Sequence, residues 1–195
     1  MTKPAIAIIA NEQTPYRLHL HRRIAAELPH VELWSLFTHS LASSPWAHRD
    51  CPEIRPVSFG KDDSVAAQGH LSRFPHEWRK GGHILRWLTS HDIRLVILYG
   101  YNDAARLRIL AACHRRGIPC YLFGDSNSRG DHASGLRLLL KKAYLRWVLR
   151  RVSGVLHCGR LGREYFLRYG ANPDSLFPFP YEPDYALFAN PDPAL

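Results

Sequence analysis

The chain has 195 residues, 46% of them hydrophobic, which is enough to bury one sizeable core, and its formal charge is +9. No run approaches the ~18 apolar residues of a membrane-spanning helix, and the short apolar N-terminus lacks a signal-peptide cleavage site; a cytoplasmic protein is expected. Cys51, Cys113, Cys120 and Cys158 form no CxxC pair and no zinc-spaced cluster, so reduced, mostly buried thiols and no metal are expected.

Residues 5–10 are a continuous apolar run, as in a strand buried on both faces. Thr14 then suits an N-cap and Pro15 a first helical position, with Leu20, Ile24 and Leu28 as the apolar face. Residues 31–37 read as a second strand. Residues 40–82 read as irregular apart from a short strand at 54–59, and Ile84, Trp87 and Leu88 mark a short helix. A strand at 94–99 precedes a helix capped by Asn102 or Asp103, with Leu107, Leu110 and Ala111 inward and Gly117 as its stop. Then come a strand at 120–123, a loop, a basic helix at 136–151, a strand at 155–158 and a helix at 161–169. Five prolines follow from Pro178 to Pro193, and residues 178–195 read as a linker or terminal strap. Alternating strands and helices predict an α/β, Rossmann-like parallel sheet with helices on both faces.

In such a sheet, ligands sit beyond the carboxyl ends of the strands. The loops there carry Tyr16, Arg17, Asn102, Asp103, Asp125, Ser126, Arg129 and Arg160, a set of carboxylates and guanidinium groups suited to hydroxyls and anions. Taken singly, several of these residues suit caps and turns equally well. No GxGxxG, GxxxxGK[ST] or GxSxG is present, which removes the dinucleotide fingerprint, the P-loop and the hydrolase elbow.

The charge is local. Between His132 and Arg163 there is no Asp or Glu, while Arg137, Lys141, Lys142, Arg146, Arg150, Arg151, Arg160 and Arg163 contribute +8 of the +9. Nucleic acid, an anionic membrane and a phosphorylated substrate are the candidate partners. In the helix LRLLLKKAYLRWVLRR, Leu136, Leu140, Ala143 and Trp147 form one stripe, read as the core face. Leu138, Leu145 and Leu149 form a second stripe bordered by Arg137, Lys141, Lys142, Arg146 and Arg150, the pattern of an interfacial helix on anionic lipid. The alternative is a stripe packed under a loop or partner with the cations reaching water. Nucleic acid is disfavoured, because the aromatic residues fall on the inward stripe and no nucleic-acid motif appears.

The chain resembles the N-terminal domain of a family 4 glycosyltransferase of the GT-B fold. The resemblance rests on the TPYR loop after the first strand, the Gly-Tyr-Asn-Asp loop, the helix LKKAYLRWVLRRVSGVLHCG and the segment RLGREYFLRYGANPDSLFPFPYEPDY. It implies a retaining transferase that moves a sugar from a UDP- or GDP-sugar to a glycan or lipid-linked acceptor hydroxyl without a metal or other cofactor. The N-terminal domain of such enzymes chiefly binds acceptor and docks on membranes through a basic helix. This implies acceptor contacts at Tyr16, Arg17, Asn102, Asp103, Ser126 and Arg129, a catalytic Asp125, a donor phosphate or interdomain contact at Arg160, and a peripheral location at the inner face of the membrane. The donor site and its E-x7-E motif belong to a C-terminal domain that would follow the linker or reside on a partner chain. Glu12-Gln13-Thr14-Pro15 departs from a Gly-rich first loop, and Asp125 stands where relatives often place His. The competing expectations are a non-catalytic Rossmann-like subunit that recruits a partner or membrane, and a flavodoxin-like nucleotide binder.

Overall fold

The computed structural model describes residues 3–39, 51–60, 63, 65, 70–185 and 189. Most of segment 40–69 and most of the tail beyond residue 185 therefore lie outside the described residues. Seven strands form one parallel sheet: β1 (Ala5–Ala10), β2 (Glu32–Phe37), β3 (Pro56–Ser58), β4 (Ile93–Tyr99), β5 (Cys120–Gly124), β6 (Gly154–His157) and β7 (Leu176–Pro178). Their order is β3-β2-β1-β4-β5-β6-β7, so the direction of winding reverses between β1 and β4. β1 is buried almost throughout because both neighbours pair along it in parallel, which is why its sequence is a continuous apolar run.

Alternation along the strands separates two cores. Ile8, Ala10, Leu33 and Phe37 pack with Leu18 of α1 (Pro15–Glu27) and with Ile54 of a 3-10 turn on one face. Ala7, Ile9, Leu36 and Val96 pack on the other face, under α2 (Phe74–Ser90), α3 (Ala104–Arg116), α4 (Gly135–Leu149) and α5 (Gly159–Arg168). The expected α/β, Rossmann-like parallel sheet with helices on both faces is the one observed, with four of its helices on one side.

Three helices differ from their periodicity. α2 begins at Phe74, well before the expected short helix, because Pro75 and the pair Gly81-Gly82 hide its pattern. Gly81 is there for packing: a Cβ at this position would lie 2.9 Å from the backbone of Ala105, so α2 and α3 approach closely only without one. α1 turns Leu18 and His21 inward while Leu28 is exposed. His21 Nδ1 meets Ser35 Oγ at 2.8 Å, which lets a polar residue take a core position.

The basic helix α4 is rotated relative to expectation. Leu145 and Val148 are fully buried and Leu138, Tyr144 and Leu149 pack against the core, whereas Leu136 and Leu140 are 71% and 64% exposed and Trp147 lies outside as well. Six leucines distributed around the helix make both faces apolar, so spacing alone cannot choose between them. Polar anchors do: the Tyr144 hydroxyl donates to the Tyr101 carbonyl, and Lys141 Nζ lies 2.7 Å from Asp131 Oδ1. Among the described residues, no helix is long and apolar enough to cross a membrane.

Burial lowers the His21 pKa from 6.5 to about 3, with the nearby Arg17 charge adding to the effect. The unfolded chain then binds more protons below pH 6.5, so stability is full above that value and falls as the pH drops toward 3, by on the order of 1 kcal/mol per pH unit. Urea unfolding between pH 7 and 5 should show this loss, and His21→Gln should make it shallower, the remainder coming from His39, whose pKa burial also lowers, to about 4; an unchanged slope in the variant would assign the effect elsewhere.

Candidate functional site at the carboxyl edge of the sheet

The carboxyl ends of β1, β2 and β4 are joined by one side chain. Arg106, in the first turn of α3, is fully buried; its Nε donates to the Tyr99 carbonyl at 2.6 Å and its Nη2 to Asn11 Oδ1 and, at 3.3 Å, to Thr38 Oγ1. Its Nη1 is paired with Asp103, whose other carboxylate oxygen accepts the Arg106 backbone N–H at 2.8 Å and so caps α3. Asp103 is thus turned into the structure and away from the cleft. Gly100, at φ +81°, provides the left-handed turn by which the chain passes from β4 to this cap.

Beyond this hub lies an aromatic and charged cluster. Arg17 places its guanidinium 5.4 Å from the Tyr16 ring and 5.7 Å from the Tyr99 ring, and donates to the Glu12 carbonyl at 3.2 Å. Tyr16 meets Tyr181 edge-on at 5.1 Å, and the Tyr181 hydroxyl donates to Asp125 Oδ2 at 3.1 Å. Burial, then the Asp125 charge, push the Tyr181 phenol well above its ordinary value, so it remains a proton donor. The same influences raise the Cys158 thiol. Tyr181 belongs to the Pro-rich segment, whose residues 179–184 run back over this edge: Phe179 N–H donates to the His157 carbonyl, both Phe179 and Tyr181 pack edge-on against Phe123, and Glu182 and Asp184 pair with Arg23 and His19 of α1.

A second polar group stands beside the first. The Tyr101 hydroxyl lies 3.2 Å from Ser126 Oγ and 3.1 Å from the Tyr165 hydroxyl, and burial raises the Tyr101 phenol. Asn102 and Arg129 are exposed on neighbouring loops. Arg160, in the first turn of α5, is also exposed and pairs with Glu164 at 3.0 Å, whose other oxygen accepts the Ser128 hydroxyl at 3.1 Å. The edge therefore brings together Tyr16, Arg17 and Asp125 in one cluster and places Ser126 in the adjoining one. Sequence reasoning missed Arg106, Tyr101 and Tyr181. Nothing local marks Arg106 among the arginines of α3, whereas the position of Tyr181 in PYEPDY is a signal the sequence does carry.

Of the expected membrane-facing cations, Lys141 is the exception. It turns inward to Asp131, which also accepts the Tyr169 hydroxyl at 2.5 Å. Burial alone would raise the Asp131 carboxyl, but these bonds outweigh it and hold the group at about 2. Arg137, Lys142, Arg146 and Arg150 are exposed, and the last three line an open hollow of about 400 Å3 with Arg168. Among the described residues, Asp63, His76 and Glu77 place ligand atoms within metal-binding reach of one another. Lys80 Nζ already stands 2.8 Å from Asp63 and 3.0 Å from Glu77, and Arg73 also pairs with Asp63, so the cluster is an ion-pair network that ties α2 to the Thr38 carbonyl.

Tyr181→Ala should release the strap. Faster amide hydrogen exchange over residues 179–184, with little change in the strands, is the expected result; unchanged exchange would mean that the ion pairs with α1 hold the segment by themselves.

No family model and no curated protein matches the chain. Solved structures do resemble it. The sucrose-phosphate synthase of Thermosynechococcus elongatus aligns with a TM-score of 0.61 at 10% identity, over 91% of this chain and 48% of that one. The UDP-N-acetylglucosamine 2-epimerase of Rickettsia bellii aligns at 0.58 and 13%, over 96% and 47%, and Anabaena HepE, solved with UDP and glucose, at 0.57 and 13%, over 98% and 47%. The chain thus spans about half the length of each, and at such identities the likeness is one of fold. That fold is the Rossmann-like α/β architecture found in proteins of the GT-B fold.

Proposed function

We propose that the chain is the acceptor-binding part of a retaining glycosyltransferase of the family 4 type, which transfers a sugar from a nucleotide sugar to a glycan or lipid-linked acceptor. The observation that carries this reading is the convergence of Tyr16, Arg17, Asp125 and Tyr181 at the carboxyl edge of the sheet, beside the reversal of strand order. Aromatic faces suit the apolar faces of sugar rings, and Arg17 and Asp125 supply a donor and an acceptor for hydroxyls. The presence of UDP and glucose in the HepE structure is consistent with nucleotide-sugar chemistry on this fold.

In this reading the anomeric carbon leaves the nucleotide's phosphate oxygen for the acceptor oxygen, and Asp125 is the group beside the acceptor that would take its proton. Tyr16, Arg17, Asn102, Ser126 and Arg129 contact the acceptor. Asp103 contributes indirectly, by fixing Arg106 and the loops around it. Arg160, at the N-terminus of α5, favours the donor's phosphates. Most of the donor site would be supplied by a second domain or a partner chain, since catalysis needs both reactants held in register.

The exposed row Leu136, Leu139, Leu140 and Trp147, flanked by Arg137, Lys142, Arg146 and Arg150, supports peripheral docking on the anionic inner face of a membrane. The rotation of α4 alters which residues do this but not the chemistry, because the exposed face is still an apolar stripe between cations.

Saturation-transfer NMR against a panel of oligosaccharides and lipid-linked glycans should detect binding that Arg17→Ala and Asp125→Ala each weaken by roughly tenfold. A panel without a binder would sink the acceptor role. Co-sedimentation with phosphatidylglycerol vesicles should fall on Leu140→Glu and on Arg146→Glu but not on Lys141→Gln. Vesicle binding indifferent to the first two changes would remove the membrane role and favour recruitment of a protein partner.

A further inference from the structure

Away from this edge, α2 and α3 leave an open groove of about 580 Å3 between them. Its floor is the half-buried Ala111 with the outer edges of the core residues Leu85 and Ala112, and Arg86, Arg108, Arg115 and Arg116 stand around it. Among the described residues, none of these four arginines forms an ion pair with a carboxylate, and α3 carries no acidic residue along its length. The charge is therefore not neutralised from within the described structure.

One of the arginines is held in place. The Arg108 guanidinium lies 4.9 Å from the Trp78 ring and its Nη1 donates to the Trp78 carbonyl at 2.6 Å. The absence of a side chain at Gly82 makes room for it, since a Cβ there would come within 2.8 Å of Nη1. Arg116 is fixed in turn by a 2.8 Å bond to Thr89 Oγ1. Along α3, Arg108 and Arg116 are separated by about 12 Å of helix. A second hollow shares Thr89 and Arg116 with the first and continues past the ends of both helices, so the depression is long and not compact.

Shape and chemistry narrow the occupant. A nucleobase would need an open aromatic face, but the Trp78 ring is already stacked with Phe74 at 5.9 Å and capped by Arg108. A single small anion would use neither the length of the groove nor its apolar lining. We infer that the groove between α2 and α3 docks an acidic amphipathic helix of a partner protein, with the helix's apolar face against Leu85, Ala111 and Ala112 and its carboxylates against the arginines. This surface is independent of the acceptor edge, and the inference does not rest on the transferase reading.

The probe is a fluorescein-labelled peptide of Glu, Leu and Ala, about 18 residues long with Leu at helical spacing, followed by fluorescence anisotropy. Binding that weakens with salt is expected, with a loss of roughly tenfold or more for Arg86→Glu/Arg115→Glu and for Ala111→Glu, and no loss for Arg146→Glu on α4. Far-UV circular dichroism checks that the variants fold. If they do not, hydrogen exchange of the unaltered protein should show peptide-dependent protection over residues 82–90 and 108–116. Equal binding of a scrambled peptide of the same composition, wild-type affinity in the groove variants, or tighter binding of a single-stranded oligonucleotide that displaces the peptide would each overturn the proposal.

Discussion

The buried guanidinium of Arg106 is the constraint around which the carboxyl edge is organised. Withdrawing such a charge from water costs several kcal/mol unless its donors are met, and here they are met by atoms from the ends of three different strands and by the capping carboxylate of its own helix. Tyr99, Asn11 and Thr38 therefore cannot shift independently, which holds the loops after β4, β1 and β2 in one arrangement. Lys80 adds a second buried cation at the Thr38 carbonyl. Burial, together with the charges of Lys80 and Arg106, lowers the pKa of His39 to about 4, so the imidazole stays neutral at physiological pH. The candidate site is built on top of this network and not from it, which is why Arg17 and Asp125 remain accessible while Asp103 does not.

Charge is distributed unevenly between the two faces of the sheet. On the side of α1, Arg22 and Arg23 pair with Glu53 and Glu182, and His19 lies 3.5 Å from Asp184. Such exposed pairs contribute little each, so the strap owes its position mainly to the packing of Phe179 and Tyr181 on Phe123 and Tyr16. On the side of α2–α5, the arginines of α3 other than the buried Arg106, and those of α4, form no ion pair with a carboxylate among the described residues. The basic character that the sequence concentrates between residues 132 and 163 thus extends over a broader surface, because folding brings α3 and the end of α2 onto the same side as α4. Two separate basic surfaces result. One borders an exposed apolar stripe, the other a groove between two helices.

Much of the fold was legible because its signals are local. A parallel strand covered on both faces must be apolar throughout, and β1, β4 and β5 announce themselves in this way. Pro15 and Gly117 mark helix ends through backbone geometry that only a few residues satisfy. The helices were less transparent. α2 carries two glycines that read as a break but serve close packing on α3, and α4 carries leucine on every side. The polar loops after β1 and β5 could be placed at the carboxyl edge of the sheet, yet their partner Tyr181 lies 56 residues beyond Asp125 along the chain.

By itself the sequence determined the alternation of strands and helices, the class of the sheet and the polar loops at its carboxyl edge, since each follows from side-chain period and backbone preference within a few residues. Only the tertiary structure decided which face of α4 meets the core, that Lys141 and Asp103 turn inward, and that the Pro-rich segment returns across the site. These outcomes depend on contacts between residues far apart in the chain: Tyr144 with Tyr101, Lys141 with Asp131, Arg106 with Asn11 and Thr38. A buried polar group must find its partner wherever the fold provides one, and no local pattern records where that is.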